Sequence, residues 1–157
     1  GAIAVALDKI SGAEVTAVEI DETAFSYLET NVKENNSSGK PVMADALKIC
    51  DTFADGELDL IVSNPPYIKS ADIATLQKEV QLEPRLALDG GEDGYDFYRE
   101  IVSRWSRKLK KGGALAFELG ESQADAVKAL MTEQGFSDFK ISLDFGGVQR
   151  AIIGTLL

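Results

Sequence analysis

A chain of 157 residues with 45% apolar and 8% aromatic residues makes one domain of ordinary size, long enough to bury a sizeable core. A net charge of -10, from 16 basic and 26 acidic residues, offers no general basic field to gather a phosphate backbone, and zero histidines exclude Ser-His-Asp and Cys-His catalysis together with histidine-ligated metals. Cys50 stands alone, so intrachain disulfides and cysteine zinc sites are excluded too, and the natural expectation is a reduced, cytoplasmic setting with no membrane span.

The chain opens on Gly1 and runs straight into Ala2-Ile3-Ala4-Val5-Ala6-Leu7, which reads as an excerpt of a longer protein without the basic flank of a signal peptide. Residues 1 to about 10 read as a helix already under way. Val15 to Ile20 reads as a buried strand. Asp21 is placed to cap a helix whose Ala24, Phe25, Leu28 and Val32 form one apolar face, and Asn35-Asn36-Ser37-Ser38-Gly39 ends it. A short strand around Pro41 to Ala44 leads into an irregular stretch through Asp45 and Cys50. Leu58 to Ser63 is the next strand, running directly into Asn64-Pro65-Pro66-Tyr67. The pattern predicts helix over 70–80 and loop over 81–94. Phe97, Ile101, Trp105 and Leu109 recur at helical spacing up to Gly112-Gly113, which would stop the helix. Leu115, Phe117 and Leu119 mark a strand, and Val127, Leu130 and Met131 a helix ended by Gly135. Phe136 to Leu143 and Gln149 to Leu156 read as two strands joined through Gly146-Gly147. The alternation predicts an α/β fold on a mostly parallel sheet, closed by an antiparallel hairpin.

Open α/β sheets bind ligands beyond the carboxyl ends of their strands, so polar residues there come first. Glu19 ends its strand, where a carboxylate can accept from both ribose hydroxyls of a nucleoside cofactor; a solvated acid at a strand end is the plain alternative. Asp45 follows the next strand and could meet an adenine amino group, or serve as a turn residue or helix cap. In Asn64-Pro65-Pro66-Tyr67 each proline biases its predecessor towards extended backbone, giving a stiff loop. Such a loop would set the Asn64 side-chain oxygen beside the Pro65 carbonyl as two acceptors for one NH2 group, with the Tyr67 ring as a flat face for a planar amide or base. A rigid turn after a strand is the competing reading. Glu83, beside Pro84, either braces a substrate pocket or is a solvated loop carboxylate.

These words together resemble a known family. Asn64-Pro65-Pro66-Tyr67 is similar to the signature of amino-directed class I S-adenosylmethionine methyltransferases. That signature continues into Ile68 and is joined by Leu82-Glu83-Pro84-Arg85-Leu86-Ala87-Leu88, Gly90-Gly91-Glu92-Asp93-Gly94 with Phe97-Tyr98, Glu118-Leu119-Gly120 with Gln123, and Asp144 with Gly147 and Arg150. The whole set resembles the HemK/PrmC family of release-factor glutamine methyltransferases. The resemblance implies a Rossmann-like class I methyltransferase domain over 1–157, with S-adenosylmethionine as cofactor. Its substrate would be a glutamine in the Gly-Gly-Gln loop of a peptide chain release factor. The net charge sets the further expectation of no direct nucleic-acid partner, and a monomer is expected. It implies cofactor contacts at Gly1, Glu19, Asp45, Ala46 and Asn64, catalytic roles for Asn64, Pro65, Pro66 and Tyr67, and a substrate pocket at Glu83 and Pro84. It also implies that the family's first strand, most of its cofactor loop and its helical substrate domain precede Gly1, and Tyr95 departs from the family's usual leucine. Methylation of an amino group in nucleic acid or of a ribosomal-protein glutamine, and an inactive interaction module, are the alternatives; a nicotinamide-binding domain would not need the tetrapeptide.

Overall fold

The first helix of the computed structural model, which describes residues 1–157, is α1 (Ala2–Ser11), ended by Gly12 in the left-handed region at φ 68°. It belongs to the first of two compact units, Gly1–Thr52 and Phe53–Leu157. Within the first unit, β1 (Thr16–Glu19) leads into α2 (Glu22–Glu34), and the Asp21 carboxylate accepts from the Ala24 amide at 2.8 Å as the sequence predicts of a cap. β2 (Lys40–Met43) pairs in parallel with β1, in a register that sets Glu19 opposite Met43. The buried apolar residues here are Ala4 of α1, Leu28 of α2 and Cys50. Asp8 reaches across to the Ser38 amide and hydroxyl at 3.0 and 2.6 Å. The stretch after Asp45 is not irregular throughout: α3 (Ala46–Ile49) forms one turn, because the Asp45 carboxylate accepts from the Leu47 amide and starts it.

The second unit begins its sheet with β3 (Leu58–Ser63), then carries α4 (Arg85–Leu88), α5 (Asp96–Trp105), β4 (Leu109–Glu118), α6 (Ala124–Glu133), β5 (Phe136–Leu143) and β6 (Gln149–Leu156). The strand order is β3-β4-β6-β5. β3 and β4 are parallel, whereas β6 runs antiparallel to both β4 and β5. Leu115, Phe117 and Leu119 alternate along β4 and its exit, which puts all three on one face of the sheet, and each is at most 1% exposed. Tyr98, Ile101, Val102 and Trp105 of α5 and Val127 and Met131 of α6 complete the core, with the Tyr98 and Phe117 rings edge to face at 5.2 Å. This is the expected α/β class, with parallel pairs and a closing antiparallel hairpin. No helix is long and apolar enough to cross a membrane.

Three readings of the second unit change. The stretch 81–94 is not loop throughout, since Arg85–Leu88 forms the single turn α4, entered from Pro84, whose carbonyl accepts from the Ala87 amide at 2.8 Å. Residues 70–80 form no α-helix; only single 3₁₀ turns at Ile73–Thr75 and Val80–Leu82 appear. Helix-compatible residues are present there, but none of them is buried, so no apolar face rewards propagation. The Gln81 side chain instead donates to the carbonyls of Ala74 and Leu76, taking acceptors a helix would use. Nor do Gly112 and Gly113 stop a helix. α5 ends at Trp105, and both glycines lie inside β4, where the pairing jumps from Leu58↔Leu109 to Leu60↔Ala114. That bulge needs Gly112 at φ 78°, and a Cβ on Gly113 would stand 2.8 Å from the Lys110 carbonyl.

Candidate active-site loop at the end of β3

The parallel ladder of β3 runs as far as Ser63↔Phe117 and the chain leaves the sheet at Asn64, because two consecutive prolines have no N–H with which to continue it. Pro65 is buried and Asn64 is exposed, so the loop is anchored by its first ring while the amide before it faces outward. Neither the Asn64 side-chain amide nor the Pro65 carbonyl has a hydrogen-bond partner within the chain, so both oxygens are unpaired acceptors held on a stiff backbone.

Beyond the prolines the chain is held on several sides. Ile68 donates to the Leu88 carbonyl at 3.0 Å, Gly90 to the Ile68 carbonyl at 2.8 Å and Ser70 to the Gly91 carbonyl at 2.9 Å, so residues 88–91 lie alongside 68–70 as a short parallel pair. Asp89 closes this segment by accepting from the Ser70 hydroxyl, the Gly91 amide and Arg85. Those bonds, Ser70 first, hold its carboxyl below the usual range. Gly90 is required by proximity: a Cβ there would come within 2.8 Å of the Tyr67 Cα. The Tyr67 carbonyl accepts from the Gln123 side chain at 3.1 Å. Burial pushes the Tyr67 phenol above its ordinary value, Glu118 and Glu83 add to that, and Arg150 opposes it, so the ring stays neutral at physiological pH. Both Glu83 and Pro84 are exposed, with Pro84 immediately preceding α4.

Of the expected residues of the first unit, Glu19 and Asp45 stand at one end of its two strands. The Glu19 Oε1 accepts from the amides of Ile20 and Asp21 at 2.8 and 2.9 Å, fixing the carboxylate at the end of β1 and leaving Oε2 unpaired. The Ala44 amide donates to the Glu19 carbonyl at 2.9 Å, so Asp45 follows at the same end of the strand pair. Asp45 is the helix cap that the sequence left open as an alternative, with Lys48 3.3 Å from its second oxygen. Ala46 is the first residue of α3, and Gly1 precedes α1, its carbonyl accepting from the Val5 amide at 3.1 Å. A Cβ on Gly1 would stand 2.9 Å from Leu28 Cδ1.

Sequence reasoning gave no separate role to Tyr98 or Gln123, yet both are buried, Gln123 against the Tyr67 carbonyl and Tyr98 against Gln123. The available signal was slight: a glutamine three residues beyond Gly120, at the start of an amphipathic helix and flanked by Ser122 and Ala124. Tyr95, the departure from the family pattern, is half-buried with its ring against Tyr98 at 6.2 Å and the Arg99 guanidinium at 5.8 Å, so the larger side chain is accommodated.

A family model described as the methyltransferase small domain matches residues 1–92. The chain is 41% identical to the release factor glutamine methyltransferase of Geobacter sulfurreducens, over 99% of this chain and 55% of that protein. It is 33% identical to that of Clostridium acetobutylicum, over 98% of this chain and 55% of that protein. The chain therefore spans about half the length of these curated relatives. Among solved structures, a methyltransferase from Pyrococcus furiosus superposes with a TM-score of 0.73 at 24% identity, over 98% of this chain and 68% of that one. That likeness speaks for the fold, a methyltransferase-like α/β arrangement.

Proposed function

Because the chain belongs to the methyltransferase small domain family, we propose that the protein transfers a methyl group from S-adenosylmethionine to the side-chain amide nitrogen of a glutamine in a peptide chain release factor. The observation that carries the reading is the pair of acceptors without a partner in the chain, Asn64 Oδ1 and the Pro65 carbonyl, at the end of β3 on backbone that two prolines restrain. The names borne by the relatives supply the substrate.

S-adenosylmethionine would supply an electrophilic methyl group carried on a positively charged sulfur. The residues present fit it: Glu19 offers Oε2 to the ribose hydroxyls while its other oxygen holds the carboxylate in place. Asp45 would meet the adenine amino group, sharing the oxygen nearest Lys48, with Ala46 and Gly1 supplying backbone that carries little or no side chain.

An amide nitrogen is a poor nucleophile because its lone pair is delocalised into the carbonyl. Asn64 and Pro65 would accept its two N–H groups and so fix the direction of the remaining lone pair. Both oxygens carry partial negative charge, and bond formation places positive charge on the nitrogen, so their interaction with it strengthens as the reaction proceeds. The Tyr67 ring would pack on the amide plane, and Pro66 would keep that ring at a fixed distance from the acceptors. The product nitrogen then gives up a proton to water without a dedicated base, so a chain with zero histidines suffices. Glu83 and Pro84 would border the incoming backbone.

The test is to incubate the full-length protein with S-adenosylmethionine and release factor and to map the product by fragment mass spectrometry. One methyl group on the side-chain amide of the Gly-Gly-Gln glutamine is expected. A release factor left unmodified, or methylated elsewhere, contradicts the proposal.

A further inference from the structure

Gln123 occupies the position just before α6, yet its side chain caps no amide of that helix. It turns inward instead, 8% exposed, and all four of its hydrogen-bonding valences are used. Nε2 donates to the carbonyls of Tyr67 at 3.1 Å and Gly94 at 3.2 Å. Oε1 accepts from the Gly120 amide at 2.9 Å and from the Tyr98 phenol at 3.2 Å. The orientation of the amide is forced: turned over, it would set its NH2 against the Gly120 N–H and its oxygen against two carbonyls. Tyr98 is fully buried, and its one O–H proton is shared between Gln123 Oε1 and the Glu118 carbonyl, the nearer at 2.9 Å, so the acceptor side of Gln123 is tied to the end of β4.

The space around this amide is closed by glycines. A Cβ on Gly94, already at φ 83°, would come within 2.6 Å of the Tyr67 carbonyl oxygen. One on Gly120 would come within 2.6 Å of Gln123 Oε1 and 2.9 Å of Tyr67 Cδ2. Tyr67 lies three residues beyond Asn64, and the two residues between are prolines with φ locked, so a displacement of the Tyr67 carbonyl is carried to the Pro65 carbonyl and to Asn64 rather than absorbed. We propose that Gln123, steadied by Tyr98, is the positioning residue of the Asn64–Tyr67 loop and sets where the two amide acceptors stand. Its consequence for catalysis rests on the function proposed above; its consequence for the loop does not.

The experiment compares Gln123→Glu and Tyr98→Phe with the parent in the full-length protein. Three readings are taken: backbone hydrogen exchange over 64–70, the single-turnover rate of release-factor methylation, and the dissociation constant for S-adenosylmethionine. Gln123→Glu keeps the acceptor and replaces both donors by an oxygen facing two carbonyls. Exchange at Ile68 and Ser70 should rise at least about tenfold, and turnover should fall about 100-fold, the scale of a misplacement near 1 Å, with cofactor affinity within about twofold. Tyr98→Phe keeps the ring and removes one hydroxyl, and a fall of roughly 3- to 10-fold is expected. Exchange and turnover within about twofold of the parent in both variants would overturn the proposal. So would a loss of cofactor affinity that matches the loss of turnover, since that marks a general structural role. Should Gln123→Glu not fold, Tyr98→Phe decides by the same readings. If the parent methylates no glutamine, the function proposed above fails and the exchange readings alone decide the loop's positioning.

Discussion

Asn64 is exposed and Pro65 buried, so a substitution of Asn64 removes an acceptor without opening the core. Asn64→Ala should therefore lower the single-turnover rate on the order of 100- to 1,000-fold while leaving cofactor affinity nearly intact, the pattern of one preorganised partner lost at a developing charge. Rapid-quench kinetics with saturating release factor would check it; a rate within a few-fold of the parent would reduce the loop to a turn. Glu19 needs a gentler change, because its Oε1 also holds the amides of Ile20 and Asp21. Glu19→Gln keeps one oxygen for those amides and removes the charge that would assist the two proposed ribose contacts, so titration calorimetry should show weaker S-adenosylmethionine binding with turnover at saturation little altered. The tetrapeptide was legible in the sequence because proline restrains backbone in a way independent of tertiary context. Gln123 and Tyr98 were not legible as its support, since their bonds to Tyr67 and Gly94 span 56 and 29 residues for Gln123 and 25 residues between the two of them.

The closing hairpin was read with its ends in place, Phe136–Leu143 and Gln149–Leu156, because β-branched and aromatic residues stand on either side of a glycine pair. Its turn depends on Asp144, which accepts from the Gly146 and Val148 amides at 2.8 and 2.9 Å and pairs with Arg150 at 3.0 Å. These bonds, Val148 first, hold the Asp144 carboxyl below its ordinary value. A carboxyl depressed in the folded state stabilises in full above its unfolded value of about 3.9 and loses that contribution as pH falls through the folded value. Asp144→Asn should thus melt below the parent at pH 7, and the gap should close towards pH 3; a gap independent of pH would contradict this. Lys108 offers a second comparison. It is 4% exposed and donates to the Phe53 carbonyl at 2.8 Å and to Asp55 at 2.7 Å, whereas Lys110 pairs with Asp59 at the surface. Denaturant unfolding should show Lys108→Met costing about 1–3 kcal/mol through the orphaned carbonyl, and Lys110→Met about 0–1 kcal/mol. The stretch 70–80 misled because helical propensity was counted where no buried face exists to reward it, and Gly112-Gly113 because a bulge within a strand and a helix stop call for the same residue.

For the molecule as a whole, the α/β class was readable because β-branched runs and amphipathic helices leave different periods in the sequence, and the parallel pairs β1–β2 and β3–β4 with the antiparallel β4–β6–β5 arrangement follow that rhythm, although β1, expected to be buried, has no buried residue, nor have β2 and β3. The substrate lies at this scale too, since a loop able to hold one NH2 group does not by itself distinguish a glutamine from a nucleobase. Net charge does bear on the choice: at -10 the chain repels a polyanion, whereas a neutral amide meets no such penalty. The most direct measurement supplies the full-length protein with radiolabelled S-adenosylmethionine and offers, in parallel, release factor, release factor with the Gly-Gly-Gln glutamine replaced, ribosomes and duplex DNA. Label in native release factor, absent from the replaced one and from DNA, is the predicted result. Label entering DNA, or entering the glutamine-replaced factor as fast as the native one, would contradict the account.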